Sequence, residues 1–269
     1  MLMAIDVGNT NMVFGLFKGN TLAAKFRLST EAGRTADEIG LPISQFFGHF
    51  GFGLSDVEAV AISSVAPQTM YALRHAIDKY LGLTPLIAGE TLNIPLTNLC
   101  EEPLGIDRAV TLIGARALVG APCVVVDFGT ATKIDALNGH GEYIGGVICP
   151  GVSISMEALF AKAAKLPRIE LKKPARAIGV NTVEQMQAGA VFGFVGSVEY
   201  IIGRFKNEMN TDVPTVATGG LARLISEHAP SIGCVEPNLT LNGLYECVKL
   251  LQGAAGNITI HSQVEKREN

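Results

Sequence analysis

Residues 6–11 of the chain read DVGNTN, and residues 127–132 read DFGTAT. Each stretch follows a short apolar run, LMAI at residues 2–5 and CVVV at residues 123–126, and precedes a second run of strand-forming residues. Each aspartate therefore lies at the end of one predicted strand, and the turn that follows it leads into the next strand. A related turn at the same place in two halves of a chain indicates an internal duplication.

The strands and helices expected around these turns follow a similar order in both halves. In the first half, the pattern predicts strands at 2–7, 12–18, 21–28, 57–63 and 85–88, and helices at 68–81 and 109–118. In the second half, it predicts strands at 124–127, 133–137, 143–148 and 215–218, and helices at 153–165, 183–206, 222–227 and 241–251. Residues 34–38 are typical of a helix start with acidic charges in its first turn.

Strands that alternate with helices in this way predict an α/β fold. Because no low-complexity linker divides the halves, we expect two similar lobes in close contact with a cleft between them. The predicted boundaries are 1–118 for the first lobe, 119–255 for the second and 256–269 for a polar C-terminal tail.

Composition excludes several classes of protein. The chain has 269 residues, of which 48% are hydrophobic and 17% charged, so it can bury a real core and is not a disordered module. Its net charge of −4, without a basic stripe, argues against nucleic acid as a partner. The apolar runs have strand length, and the N-terminus lacks a signal-peptide pattern, so no membrane partner is expected. Five cysteines without a CxxC pair fit a reducing cytoplasm.

The first turn has the chemistry of a phosphate cradle. Its small residues allow backbone N–H groups to approach an anion, Asn9, Thr10 and Asn11 add side-chain donors, and Asp6 can hold a metal ion through water. An ordinary hairpin with an Asn-rich turn is the alternative. Two such turns can grip opposite sides of one polyphosphate, and a third glycine-rich turn, ATGGLA at 217–222, runs from a strand into a helix.

In this order the three turns resemble the nucleotide site of the actin, Hsp70 and sugar kinase superfamily, which has two duplicated ribonuclease H-like lobes, the actin-like ATPase fold. Within the superfamily the chain resembles type III pantothenate kinase, from Leu2 to Leu250. The resemblance is carried by DVGNTN at 6–11, RTADE at 34–38, GIDR at 105–108, DFGTAT at 127–132, GGVICPG at 145–151, NT at 181–182 and ATGGL at 217–221. It implies ATP-dependent phosphorylation of pantothenate, the first step of coenzyme A biosynthesis, in a cytoplasmic homodimer.

The resemblance also implies the nucleotide and metal sites. Residues expected to bind ATP are Asp6, Val7, Gly8, Asn9, Thr10, Asn11, Met12, Val13 and Thr130. Asp6 is expected to organise Mg²⁺, and Asp127 to bind the monovalent cation, K⁺ or NH₄⁺, that the family requires. A strand-end aspartate that accepts hydrogen bonds from turn amides is the alternative for Asp127.

For the substrate site, the resemblance implies Gly105, Ile106, Asp107, Arg108 and Thr182. Asp107 would take the proton of the pantothenate hydroxyl, and Arg108 offers a planar fork that matches the pantothenate carboxylate. Thr182 would reach the site of the neighbouring subunit. The alternatives are an N-cap role for Asp107, a surface ion pair for Arg108, and capping of the following helix by Asn181 or Thr182.

Two positions depart from the family pattern. Lys133 stands where many members have Thr, and its charge is expected either to contact phosphate or to point to solvent. Asn98 stands where members often have Tyr, which leaves the pantothenate contacts on that side open. Two other functions remain possible: a kinase of another small hydroxylated acid or sugar, and a non-catalytic regulatory or accessory protein on the same fold.

Overall fold

A computed structural model of the protein describes residues 1–254. The chain forms two compact units, each built around one five-stranded sheet. Among residues 1–254, unit 1 contains Met1–Pro95, Leu104–Gly114 and the segment 240–254, and unit 2 contains Leu96–Pro103 and Ala115–Leu239. The units thus differ from the predicted boundaries of 118 and 119, because the last helix belongs with the N-terminal part of the chain. The predicted tail, 256–269, lies outside the described residues.

Unit 1 is a mixed sheet with helices. Its strands are β1 (Leu2–Val7), β2 (Asn11–Lys18), β3 (Thr21–Ser29), β4 (Ala59–Ser64) and β5 (Leu86–Ile87), and its helices are α1 (Ala36–Phe50), α2 (Pro67–Leu81) and most of α3 (Ile106–Val119). The strand order is β3-β2-β1-β4-β5. The first three strands form an antiparallel meander, and β4 and β5 run parallel to β1.

Unit 2 repeats this plan. Its strands are β6 (Cys123–Phe128), β7 (Ala131–Leu137), β8 (Tyr143–Pro150), β9 (Thr215–Gly219) and β10 (Cys234–Val235), and its helices are α4 (Val152–Lys162), α5 (Thr182–Met209) and α6 (Ala222–Ser226). A final helix, α7 (Leu239–Ala254), returns to unit 1. The order β8-β7-β6-β9-β10 again joins an antiparallel meander to two parallel strands. The predicted α/β fold with a duplicated lobe is confirmed.

The central strand of each sheet packs in the core of its unit. This packing fixes the position at which the following turn begins. In unit 1, Met3, Ile5 and Val7 of β1 are inaccessible to solvent and join one core with residues of α1 and α2. In unit 2, Val124 and Val126 of β6 pack in a core with residues of α5 and α6. Predominantly buried central strands of this kind are typical of the middle of an α/β sheet.

Most predicted elements are confirmed with ends shifted by a few residues, and the exceptions have physical reasons. The helix start at 34–38 is confirmed: Thr35 caps α1, the Glu38 N–H donates to Thr35 Oγ1 at 3.3 Å, and the Thr35 N–H donates to Glu38 Oε2 at 2.8 Å. The rest of α1 was not predicted, because Pro42 lies inside it and a proline normally ends a helix. The two-residue strand β10 is too short to give a pattern.

Helix α5 is the longest apolar element of the described chain. It has the length and mean hydropathy, 1.2, of a membrane-spanning helix. The expectation that all apolar runs of the chain have only strand length is therefore wrong for α5. However, its residues Val191, Val198 and Ile202 are buried in the core of unit 2. The core helix of a soluble protein has the same composition, so α5 does not indicate a membrane protein.

Candidate active site

The first turn connects β1 to β2 and is braced by the end of β3. The Gly8 N–H donates to the Asn11 carbonyl at 3.0 Å and closes the turn. Thr30, which follows β3, donates its hydroxyl to the Gly8 carbonyl at 2.8 Å and its N–H to the Thr10 carbonyl at 2.9 Å. The turn is therefore held rigidly while Asn9 and Thr10 stay exposed. Thr30 was missed from the sequence because only the pairing of β3 with β2 brings it here.

The residues of this turn that are predicted to bind nucleotide differ in how deeply they are buried. Val7 and Met12 are fully buried, so their side chains belong to the core and only their backbone can meet a ligand. Asp6 is half-buried, one residue before the end of β1, and Ser63 of β4 is its register partner. Side chains at paired positions lie on the same face of a sheet. The Ser63 hydroxyl is buried and has no hydrogen-bond partner among residues 1–254.

This donor set fits Mg²⁺. Magnesium keeps several waters and is usually held by one or two carboxylates together with substrate phosphates. Asp6 would supply the carboxylate, and the Ser63 hydroxyl, which has no hydrogen-bond partner among residues 1–254, lies on the same sheet face and would be available to a metal-bound water. Sequence reasoning missed Ser63, since only the register of β4 against β1 reveals it.

The second turn connects β6 to β7, and backbone approaches it closely on two sides. A Cβ on Gly151, which precedes α4, would overlap the Thr130 carbonyl and lie 2.7 Å from the Gly129 carbonyl. A Cβ on Gly219, at the end of β9, would lie 2.5 Å from the Phe128 carbonyl, and Gly219 has a φ of +94°. Only glycine permits both approaches. Thr130 is exposed on a surface of bare backbone, as a phosphate cradle requires.

Asp127 is the last residue but one of β6 and faces Lys133 on β7. The two are register partners in the antiparallel pair, and Lys133 Nζ lies 3.1 Å from Asp127 Oδ2. The lysine and aspartate side chains are 17% and 25% exposed. Lys133 therefore does not simply point to solvent, and a protein ammonium already contacts the carboxylate expected to bind K⁺ or NH₄⁺. The residues around Asp127 do not fit a free monovalent cation.

Helix α3 begins at Ile106, which fixes the position of the GIDR motif. Gly105 precedes the helix and accepts from the Ala109 N–H at 3.0 Å, so Asp107 lies inside the first turn and is not the N-cap. Asp107 and Arg108 are half-buried. A Cβ on Gly105 would lie 3.1 Å from Asp107 Oδ1, so glycine leaves room beside the carboxylate.

Neighbouring groups hold this first turn in place. The Thr111 hydroxyl lies 2.7 Å from the Asp107 carbonyl and 2.8 Å from the Thr240 hydroxyl of α7. The Ile106 side chain packs onto Gly89, where a Cβ would lie 2.6 Å from its Cδ1 atom. Ile106 therefore fixes the helix start by packing onto Gly89 within unit 1.

Asn181, and not Thr182, caps α5. Asn181 Oδ1 accepts from the Glu184 N–H at 3.0 Å, and its Nδ2 donates to Glu184 Oε1 at 2.8 Å. Thr182 is the first residue of the helix and is exposed. Of the two residues that the sequence offered as the cap, Asn181 is the one that caps α5, and Thr182 is not needed for that role.

Asn98 has a structural role in the Leu96–Pro103 segment of unit 2. Its Nδ2 donates to the Glu102 carbonyl at 2.8 Å, and its Oδ1 accepts from the Cys100 N–H at 2.9 Å. Both ends of the side chain thus shape residues 98–102.

The predicted site residues fall into two sets. Unit 1 contains the turn from Asp6 to Val13 and the segment from Gly105 to Arg108, while unit 2 contains Asp127, Thr130 and Thr182.

Two solved structures resemble the fold. A Campylobacter jejuni protein described as a conserved Baf family transcriptional activator is 18% identical, with a TM-score of 0.59, and the match covers 93% of this chain and 99% of that one. The activator of 2-hydroxyisocaproyl-CoA dehydratase from Clostridium difficile, solved with bound ADPNP, is 12% identical with a TM-score of 0.52, over 97% and 99% of the two chains. At these identities, the likeness concerns the fold alone.

Sequence comparison identifies the family. The family model of type III pantothenate kinase matches residues 2–204. The type III pantothenate kinase of Bacillus cytotoxicus is 44% identical over 247 residues, which make up 91% of this chain and 94% of that protein. Together with the duplicated sheets and the placement of the GIDR motif, these matches mean that the chain belongs to the type III pantothenate kinase family.

Proposed function

We propose that Asp107 is the proton acceptor in the phosphorylation of pantothenate, the reaction that this enzyme catalyses in coenzyme A biosynthesis. The primary hydroxyl oxygen of pantothenate attacks the γ-phosphorus of ATP, and the bond from that phosphorus to the β-phosphate oxygen breaks. The hydroxyl proton passes to the Asp107 carboxylate. The products are ADP and 4′-phosphopantothenate.

The placement of Asp107 is the observation that carries this proposal. The carboxylate lies in the first turn of α3, is half-buried, and is not used as the N-cap. Phosphoryl transfer has a loose transition state in which the proton can leave late, so the orientation of the acceptor matters more than its basicity. The bond from Thr111 to the Asp107 carbonyl supports that orientation.

Arg108 is proposed to bind the carboxylate of pantothenate. A guanidinium offers two parallel N–H donors that match a carboxylate, and partial burial strengthens such a pair. Arg108 is half-buried beside Asp107 in the sequence, so one helical turn supplies both the acceptor and the anchor. This arrangement favours a hydroxy acid over an uncharged sugar.

ATP is proposed to bind through the two duplicated turns. In unit 1 the contacts would come from the backbone and polar groups of Gly8, Asn9, Thr10 and Asn11, and in unit 2 from Thr130. Asp6 would hold Mg²⁺, which neutralises charge on the phosphates when bound. The chain's own contribution is a pair of rigid, glycine-containing turns that orient the phosphates.

A cytoplasmic homodimer is proposed, with Thr182 contacting pantothenate in the neighbouring subunit. Three apolar residues near Thr182 are exposed in the single chain: Ile178 by 83%, Val180 by 68% and Val183 by 42%. Large apolar residues clustered on a surface are typical of protein interfaces. Burial of these residues against a second copy would bring Thr182 to that interface.

The experiment is to measure formation of 4′-phosphopantothenate by the purified protein, with a panel of other hydroxy acids and sugars as competing acceptors. Asp107→Asn keeps the side-chain volume and removes the acceptor, so we expect turnover to fall about 10²- to 10⁴-fold while ATP binding remains. Asp78→Asn, an exposed carboxylate on α2, is the matched control and should retain full activity. Unchanged turnover in Asp107→Asn would remove Asp107 from the mechanism.

A further inference from the structure

We infer that the ammonium group of Lys133 replaces the exchangeable monovalent cation at Asp127, so that this kinase works without K⁺ or NH₄⁺ in solution. The inference rests on the proposed function, and it concerns which positive group neutralises the Asp127 carboxylate of that enzyme. Its basis is the ion pair between Lys133 Nζ and Asp127 Oδ2, at 3.1 Å.

The backbone of unit 2 brings the two groups together. Asp127 and Lys133 are directly opposite each other on antiparallel β6 and β7. Opposite side chains in such a pair lie on the same face, with Cβ atoms about 4.5–5.5 Å apart. The ammonium therefore reaches the carboxylate without any change in the turn between them.

Partial burial makes this pair more than a surface contact. The lysine side chain is 17% exposed and the aspartate 25%, so water screens their attraction less than it screens an exposed pair. A free cation would have to displace an ammonium that is tethered six residues away and cannot diffuse off. Such tethering corresponds to an effective concentration of about millimolar or more.

The other half of the molecule provides an internal comparison. In unit 1, the position equivalent to Asp127 is Asp6, the last residue but one of the central strand, and its antiparallel partner is Val13. The duplicated strand–turn–strand therefore forms with an apolar residue at this register position. Lys133 is an additional charge in unit 2, not a requirement of the fold.

The first test needs only the unmodified protein. Phosphorylation of pantothenate is measured with the Tris salt of ATP, in buffers that contain either potassium or tetramethylammonium, a cation too large for a carboxylate site. We expect equal rates in the two buffers. A rate that falls by about tenfold or more without potassium would overturn the inference. Such a fall is the size of effect expected from the loss of one hydrogen bond to a charged group.

The second test restores the family pattern with Lys133→Thr. We expect this variant to be slow in tetramethylammonium and to regain activity with potassium or ammonium, whereas Lys133→Arg stays independent of the added cation. Lys172→Thr removes an exposed lysine that pairs with Glu170, and it serves as the matched control. If Lys133→Thr stays cation-independent, or if its Michaelis constant for ATP rises in every buffer, Lys133 contacts phosphate or is dispensable, and the inference is wrong.

A third measurement does not depend on turnover. Potassium that binds the folded state raises the melting temperature by mass action. Potassium should therefore raise the melting temperature of Lys133→Thr above the tetramethylammonium value, and leave that of the unmodified protein unchanged. If no buffer gives pantothenate phosphorylation, the proposed function fails, and this titration still decides the cation question. A potassium-dependent rise in the unmodified protein would overturn the inference.

Discussion

Asn181 and Thr182 are adjacent, yet the structure separates their roles. Asn181 accepts the Glu184 N–H and so satisfies the start of α5, while the exposed Thr182 makes no contribution to the cap. We predict that Asn181→Ala lowers the free energy of unfolding by about 1 kcal/mol, as loss of an N-cap typically does. Thr182→Ala should leave stability unchanged and raise the Michaelis constant for pantothenate.

Denaturant unfolding and steady-state kinetics on both variants check this pair. If Thr182→Ala lost stability while its Michaelis constant stayed at the parental value, Thr182 would be structural after all.

Single residues also show what a sequence reveals about a site. Asp6, Asp107 and Asp127 could be proposed as site residues from the sequence, because each lies in a motif next to a predicted strand or helix end and its setting is local in the chain. Thr30 and Ser63 were missed because they reach the first turn only through the register of β3 and β4. The Lys133 pair had a usable signal, since a short turn places a residue opposite Asp127 on the next strand.

At the level of elements, the crossing of α3 and α7 depends on Gly243. A Cβ on Gly243 would overlap the Val110 carbonyl of α3. We predict that Gly243→Ala separates the two helices, lowers stability by about 1–3 kcal/mol as other overpacked sites do, and reduces turnover by shifting the Asp107 turn.

Gly253→Ala is the control in the same helix, because no atom of the described residues, 1–254, lies within 4 Å of its added Cβ. That variant should be neutral or more stable by about 0.5–1 kcal/mol, since alanine favours a helix. Thermal unfolding compares the two. Equal stability for both variants would show that the helix crossing has room for a methyl group.

The elements were predicted well where burial gives a strong pattern. The central strands β1 and β6 are apolar on both faces, and α2 has apolar residues at helical spacing. The extent of α1 was not predictable, because Pro42 contradicts the local rule and packing of Ile39, Ile43 and Phe47 in the core overrides it.

For the whole molecule, exposed carboxylates predict how stability varies with pH. Ion pairs and hydrogen bonds lower the pKa of five carboxylates below the ordinary values of 4.5 for Glu and 3.8 for Asp: Glu31, Asp37, Glu38, Asp212 and Glu227. A pKa that is lower in the folded state stabilises the protein above the unfolded value, and the effect is lost as the pH falls through the folded value.

We therefore expect the melting temperature to fall as the pH drops below about 4.5, through protonation of these groups. Because all five are exposed, high salt should weaken the pH dependence. A pH series of melting temperatures at low and high salt measures both effects. A melting temperature that rises below that pH would contradict this account.

The proposed dimer also has a test of its own. If each site combines Asp107 of one chain with Thr182 of the other, two impaired proteins can restore one another. Co-refolding Asp107→Asn with an inactive Thr182 variant in equal amounts should give heterodimers with one intact site, so about a quarter of all sites recover if pairing is random. Activity equal to the sum of the parents, with heterodimers verified by differential tags, would mean that one chain builds the whole site.

The path of the chain determines the order in which the ribosome can complete its parts. Unit 1 starts with the first residue but needs α7, which covers Gly15 of β2 and meets Val110 of α3. The 115–239 segment of unit 2 leaves the ribosome in one piece before α7 is made. Unit 1 therefore begins before unit 2 and is completed after it, and a nascent chain must keep the α7-binding surface of unit 1 uncovered until α7 has been synthesised.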